Sequence, residues 1–394
     1  MKTTLTIALA LVGALVLAGL AGARSEPSRY DSASGRATSS AISGGQARKC
    51  GGVTVRLGGK RVCVAAGRPC QAKYERTYER LGFTCSGGTL YRRVVTPNAQ
   101  ILATISVGGG PTAIRFLAGS IWVLNSFDGT LSRIDPSSNT VVATIKVGGG
   151  WGDITSGDGS IWEVSEERSL VARIDPTTNS VIATIPEPGI RPMGLAWTPG
   201  AIWVTNHAHD PGQQAVVARI DTATNQVVWK AGVGNASAGN LTGGPDWITP
   251  AFGAVWFVVG NADELDRIDP SSNTVTKAVS PFACGADAEP LAGSLWLSDC
   301  SLGFYRLDPA TNAVVRVPAS AGGDNGPLAT DGSYLWGTTV NGFLSKFDPA
   351  SGKVVARWRQ PAMGLFASAP SLAYGEGSIW VADNSGNRVL RLKP

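Results

Sequence analysis

Ser120-Ile121-Trp122-Val123, then Asp128-Gly129-Thr130-Leu131-Ser132-Arg133-Ile134-Asp135-Pro136, then Asn139-Thr140-Val141-Val142-Ala143-Thr144-Ile145, is the stretch that decides the fold. Its alternation is that of strands: Ile121 and Val123 point one way and Trp122 the other. Asp135-Pro136 ends a strand, because proline has no N–H to give to a ladder. The unit reads as an inner strand at 113–117, a second at 121–125, a third at 130–135 and an outer one at 140–147.

The unit recurs along the chain. Tryptophan returns as Trp122, Trp162, Trp203, Trp256, Trp296, Trp336 and Trp380. The Arg-Ile-Asp-Pro element returns at Arg133, Arg173, Arg219, Arg267, Arg306, Lys346 and Arg391, with drift at the last two. The spacing is about 40 residues, the length of a four-stranded propeller blade. The last unit stops at Arg391-Leu392-Lys393-Pro394 and lacks an outer strand. The repeat region begins with Asn98-Ala99-Gln100-Ile101-Leu102-Ala103-Thr104-Ile105, an outer strand with no blade before it. Pairing the two fragments closes a ring and removes two sheet edges. The sequence therefore predicts an all-β chain: a seven-bladed β-propeller over 96–394, closed by N- and C-terminal strand pairing.

Composition agrees. The 394 residues include 50 glycines and 12 tryptophans, and only 16% are charged. Tight turns use glycine freely, whereas each one in a helix costs about 1 kcal/mol. Residues 1–23 read as a signal peptide: Lys2, an uncharged apolar run, then Ala21-Gly22-Ala23 before Arg24. Once it is cleaved, no integral membrane segment is expected. Residues 24–48 read as a disordered linker rich in Ser, Gly and Ala. Residues 49–95 form a small cysteine-rich module, too short to bury much core, so disulfides among Cys50, Cys63, Cys70 and Cys85 are expected to hold it. Their pairing stays open. Cys284 and Cys300 fall on two loops of one blade and are expected to bond each other. The net charge of +5 is modest, and no basic run marks a nucleic-acid groove.

The Ser-Ile-Trp-Val, Asp-Gly-Thr-Leu-Ser-Arg-Ile-Asp-Pro and Asn-Thr-Val-Val-Ala-Thr-Ile elements resemble those of YncE-like and YVTN-repeat bacterial propellers. More distantly they resemble the streptogramin (virginiamycin B) lyase family. That resemblance implies the propeller fold. Its lyase branch implies a channel-mouth histidine and metal-associated carboxylates that open a cyclic ester by elimination. His207 and His209 are the only histidines for that catalytic role. The family's Trp-Phe-Thr-Glu strand end is replaced here by Trp203-Val204-Thr205-Asn206 and Trp380-Val381-Ala382-Asp383.

Residues copied into every blade read as structure. The tryptophans pack between blades, and Asp135, Asp175, Asp221, Asp269, Asp308 and Asp348 accept local hydrogen bonds before turns. Function is sought where the units break pattern. The loops that share the channel mouth carry Trp151, Asp153, Asp246, Trp247, Asp287 and Glu289, together with Glu163, Asn206 and Asp383. This acidic, indole-bearing set is expected to bind a ligand, carboxylates taking hydroxyls or cations and indoles taking apolar faces. A divalent cation, Mg or Ca, is a candidate cofactor there. The expected reading is a secreted or periplasmic, monomeric binding or scaffold protein for an extracellular protein, glycan or small polar ligand, with no nucleic acid. The alternative is a streptogramin-type lyase.

Overall fold

The computed structural model describes residues 50, 52–65, 67–81, 83–86, 89–92, 98–186, 191–207, 214–235, 245–259, 264–279, 285–299, 303–317, 327–338, 343–359 and 371–394. The expectations for residues 1–49, for His209 and for the Cys284–Cys300 bond lie outside these. The chain divides into two compact units at Arg93 and Val94.

In the first unit, β1 (Val53–Leu57) and β2 (Lys60–Val64) form a hairpin. Gly58 and Gly59 turn it with φ of 57° and 81°, a backbone that residues with a Cβ adopt poorly. A short helix α1 (Glu75–Arg80) follows, then a hairpin of β3 (Phe83–Ser86) and β4 (Thr89–Arg92). Leu57, Val64, Tyr78, Phe83 and Leu90 make a small core. Cys50 is bonded to Cys63, and Cys70 is also disulfide-bonded.

The second unit is a ring of seven four-stranded antiparallel sheets. Blades 1 to 6 span 111–146, 154–186, 192–235, 245–279, 285–317 and 328–359. Blade 7 takes three strands from 372–392, and its fourth is β5 (Ile101–Ser106). In that pairing Val389 faces Ile105 and Leu390 faces Thr104. The predicted closure is therefore the observed one. The entering chain is also held at blade 6, where the Ala99 amide donates to the Arg359 carbonyl at 2.9 Å.

The repeat motif is one interlocked device. Each repeat tryptophan is at most 1% exposed, a burial that contributes roughly 3 kcal/mol per ring. Each indole N–H finds an acceptor five residues earlier: Trp122 donates to the Leu117 carbonyl at 3.1 Å, Trp380 to the Gly375 carbonyl at 2.9 Å. In blades 1 to 4 and 7 the repeat arginine lies over the indole of its own blade, as Arg133 does over Trp122 at 5.3 Å. Its Nε donates to the serine before Ile-Trp: Arg133 to Ser120, Arg173 to Ser160, Arg391 to Ser378, at 2.8–2.9 Å. Its Nη1 reaches the next blade. Arg133 donates to the Pro176 carbonyl and to Asn179 Oδ1 at 2.5 and 2.9 Å. Arg173 does the same to Thr222 and Asn225. Arg391 of blade 7 donates to Pro136 and Asn139 of blade 1 at 2.6 and 2.9 Å, which completes the circle.

The accepting asparagines serve twice. Asn139, Asn179, Asn225 and Asn273 all sit at φ of 54–58°, the left-handed region that asparagine tolerates better than most residues. Asp135 and its equivalents hold the same turns by accepting backbone N–H groups, Ser137 to Asp135 at 2.8 Å for example. Blades also meet through close approach. A Cβ added to Gly157 would strike the Trp197 ring at 1.9 Å, and one on Gly375 would strike Phe116 at 2.4 Å.

Blade 3 has Ala201 where blades 1, 2 and 7 have the bracing serine, and Arg219 Nε is buried there with no hydrogen-bond partner. An Ala201→Ser substitution should supply the missing acceptor. The expected gain is about 1 kcal/mol, read as a higher midpoint in urea unfolding. An unchanged or lower midpoint would mean that the serine–arginine contact carries no weight in the blade.

Candidate functional site

The inner strands of the seven blades stand side by side around the axis. Residues of equal height are found from their strand partners. The residue opposite each repeat tryptophan is Arg115, Thr155, Ala196, Thr249, Glu289, Ala329 and Ala373, in blade order. Two residues nearer the mouth on each strand stand Ala113, Asp153, Gly194, Trp247, Asp287, Pro327 and Ser371. The charged members come from blades 1, 2 and 5 alone.

These charges meet. Arg115 pairs with Asp153 at 2.9 Å, blade 1 to blade 2. Asp287 Oδ2 accepts the Leu328 amide of blade 6, and its Oδ1 accepts the Ala288 amide, both at 2.8 Å. Arg115 is held above its ordinary pKa, chiefly by Asp153, with further support from Asp287 and Glu289. Blades 1 and 5 are not neighbours in the ring, so this last coupling runs across the axis. Glu289 is pushed up to about 8, first by desolvation, then by the Asp287 charge, against the pull of Arg115. Desolvation raises Asp287 too, opposed by Arg115 and its two backbone donors. Both acids are half-buried.

Asp153, Asp287 and Glu289 were read from the sequence; Asp153 is ion-paired with Arg115, and the charges of Asp287 and Glu289 also act on that arginine. Arg115 was not read from it. It lies inside a regular inner strand, and only alignment of the blades, where its equivalents are Thr, Ala or Glu, would have exposed it. Trp247 stands beside this set in blade 4, 8% exposed, its indole N–H buried without a partner. The Asp246 side chain lies outside the described residues.

The other expected residues stand elsewhere. Trp151 is an exposed loop residue, at 44%, whose amide donates to Glu166. Asp383 is a local structural group: its carboxylate accepts from Arg388 Nε at 2.7 Å and caps the turn at Gly386. Asn206 and His207 are buried at the end of the second strand of blade 3, and the His207 amide donates to the Arg191 carbonyl. Among the described residues no three His, Cys, Asp or Glu side chains stand close enough to hold a metal. The positive charge beside Asp153 is supplied by Arg115, so the donor set does not fit a divalent cation and no step is assigned to one.

Glu163 is enclosed, not at the mouth. It is the partner of Ile154 and Ala172 in blade 2. Alternation turns Trp162 and Val164 toward blade 3 and Glu163 toward the apolar side chains of blade 1. Its equivalents are apolar or absent: Val123, Val204, Phe257, Leu297, Gly337 and Val381. It is 0% exposed, neither carboxylate oxygen has a hydrogen-bond partner, and desolvation pushes it up to about 8.

An acid whose pKa is raised on folding favours the fold while it is protonated. That advantage is lost as pH climbs from the unfolded value near 4.5 to the folded value near 8. Glu163→Val should therefore stabilise the protein at pH 7, by about 1–3 kcal/mol, and flatten the stability profile between these limits. Thermal or urea unfolding at several pH values measures both. Equal slopes in the two proteins would show that Glu163 is solvated in the native state.

No protein-family model matches this chain, and no curated protein matches it in sequence. Solved structures do match in shape. A streptogramin B lyase structure aligns with a TM-score of 0.60 at 16% identity, over 74% of this chain and 96% of that one. Hydrazine synthase of Kuenenia stuttgartiensis aligns at 0.59 and 15%, over 77% and 99%. Selenomethionine-substituted virginiamycin B lyase from Staphylococcus aureus aligns at 0.58 and 16%, over 74% and 98%. At such identities the likeness extends to the fold, and the ring at 94–394 is a seven-bladed propeller of the shape seen in streptogramin B lyases.

Proposed function

We propose that this chain is an exported, extracytoplasmic binding propeller whose axial mouth takes a small polar ligand bearing hydroxyl groups and a protonated amine. The observation that carries this reading is the ion pair of Arg115 with Asp153, with Asp287 and Glu289 of blade 5 on inner strands at the same two heights and electrostatically coupled to that arginine. The ring does not require them: most blades place Thr, Ala or Gly at the same heights. Carboxylates accept from ammonium and hydroxyl groups, and Arg115 donates to hydroxyl or carbonyl oxygens. The Cys50–Cys63 bond suits an oxidising compartment.

A second reading is a lyase that opens a cyclic ester. It is supported by the shape shared with two lyase structures and by His207 in blade 3. Elimination needs a base that takes the proton next to a carbonyl, and His207 would fill that role.

Titration calorimetry with a glucosamine oligosaccharide and its N-acetylated counterpart tests the first reading. The amine form should bind more tightly, and Asp287→Asn or Glu289→Gln should each weaken it by roughly tenfold, about 1.4 kcal/mol. Equal affinity in both variants would remove the channel acids from recognition. Turnover of a cyclic depsipeptide that is abolished by His207→Ala would favour the lyase instead.

A further inference from the structure

The modest overall charge conceals a division. Residues 50–93 carry nine lysines and arginines against two glutamates, a net +7. Residues 94–394 carry nineteen against twenty-five acids, a net −6. The positive charge is therefore concentrated in the small first unit, where Arg56, Lys60, Arg61, Arg68, Lys73 and Arg76 are all exposed.

The β1–β2 hairpin arranges part of it. Val55, Leu57, Val62 and Val64 face the core. The other face presents Arg56 and Arg61, which stand directly opposite one another. Like charges in that position destabilise a hairpin, by up to about 1 kcal/mol. Among the described residues neither arginine has an acidic partner, nor does Lys60 at the turn. A small unit with few core residues thus keeps a repulsive pair that any neutral residue would relieve.

We propose that this hairpin face binds a linear, phosphate-bearing polyanion, with Arg56 and Arg61 clasping one phosphate between them. Guanidinium groups offer paired N–H donors that match phosphate oxygens, and the anion cancels the repulsion between them. The face carries Thr54 and the disulfide-bonded Cys63 with the two arginines. It holds no aromatic ring on which a nucleic-acid base would stack and no apolar wedge for a bilayer. A polymer of phosphodiesters without bases asks for phosphate contacts alone, which is what this face offers.

The test uses the full chain and fluorescent poly(glycerol phosphate), with single-stranded DNA and phosphatidylglycerol vesicles as competitors. Binding to the polymer should fall roughly tenfold or more between about 50 and 200 mM salt. Arg56→Ala should weaken it by a similar factor. Arg61→Glu should abolish it while the unfolding midpoint holds or rises, because opposite charges then face each other. Unchanged polymer binding in both variants overturns the proposal, as does tighter binding to DNA or to vesicles.

Discussion

A sheet that ends must leave backbone groups unpaired, and this molecule avoids that at the seam by joining its two ends. β5 completes blade 7, and Arg391 of that blade reaches Pro136 and Asn139 of blade 1. Everything else in the ring is repetition of the second contact. In blades 1, 2 and 7 the arginine stacks on its own tryptophan, is braced by its own serine and donates to the turn of the blade ahead. Such a chain of contacts has no natural end, so it is satisfied throughout only if the last blade meets the first. The axial charges depend on that closure, since Arg115 and Glu289 approach each other only across a closed ring.

The architecture was legible because its determinants recur. The tryptophans count the blades, Asp-Pro marks the turns, and the orphan strand near Ile101 announces the seam. The arginines were harder. Their acceptors lie more than 40 residues away in sequence, as with Arg133 and Asn179, so no local pattern shows that they bind blade to blade. Nor does it show that Asn139 both bends the turn and accepts the latch.

The site was legible in part. Asp153, Asp287 and Glu289 break the pattern at the mouth ends of inner strands, and Asp153 pairs with Arg115. Glu163 breaks it inside a second strand, where alternation sends the side chain into the interface between blades 1 and 2. Comparison with Val123 and Val204 at the same position would have shown this. Arg115 was hidden for the opposite reason: it stands inside a largely apolar strand and not on a mouth loop. The two units also differ in electrostatic character, and total charge averages that difference away. The propeller gathers acid toward its axis, whereas the small unit displays base on a hairpin.

Hydrogen exchange at the seam tests the central claim most directly. If the ring is closed as described, the amides of 101–106 that pair with 388–392 are protected to the same degree as the third-strand amides of the inner blades, and are released only with global unfolding. Rapid exchange across 101–106 while the remaining blades stay protected would mean that the wheel is open, and the account of its axis would fail with it.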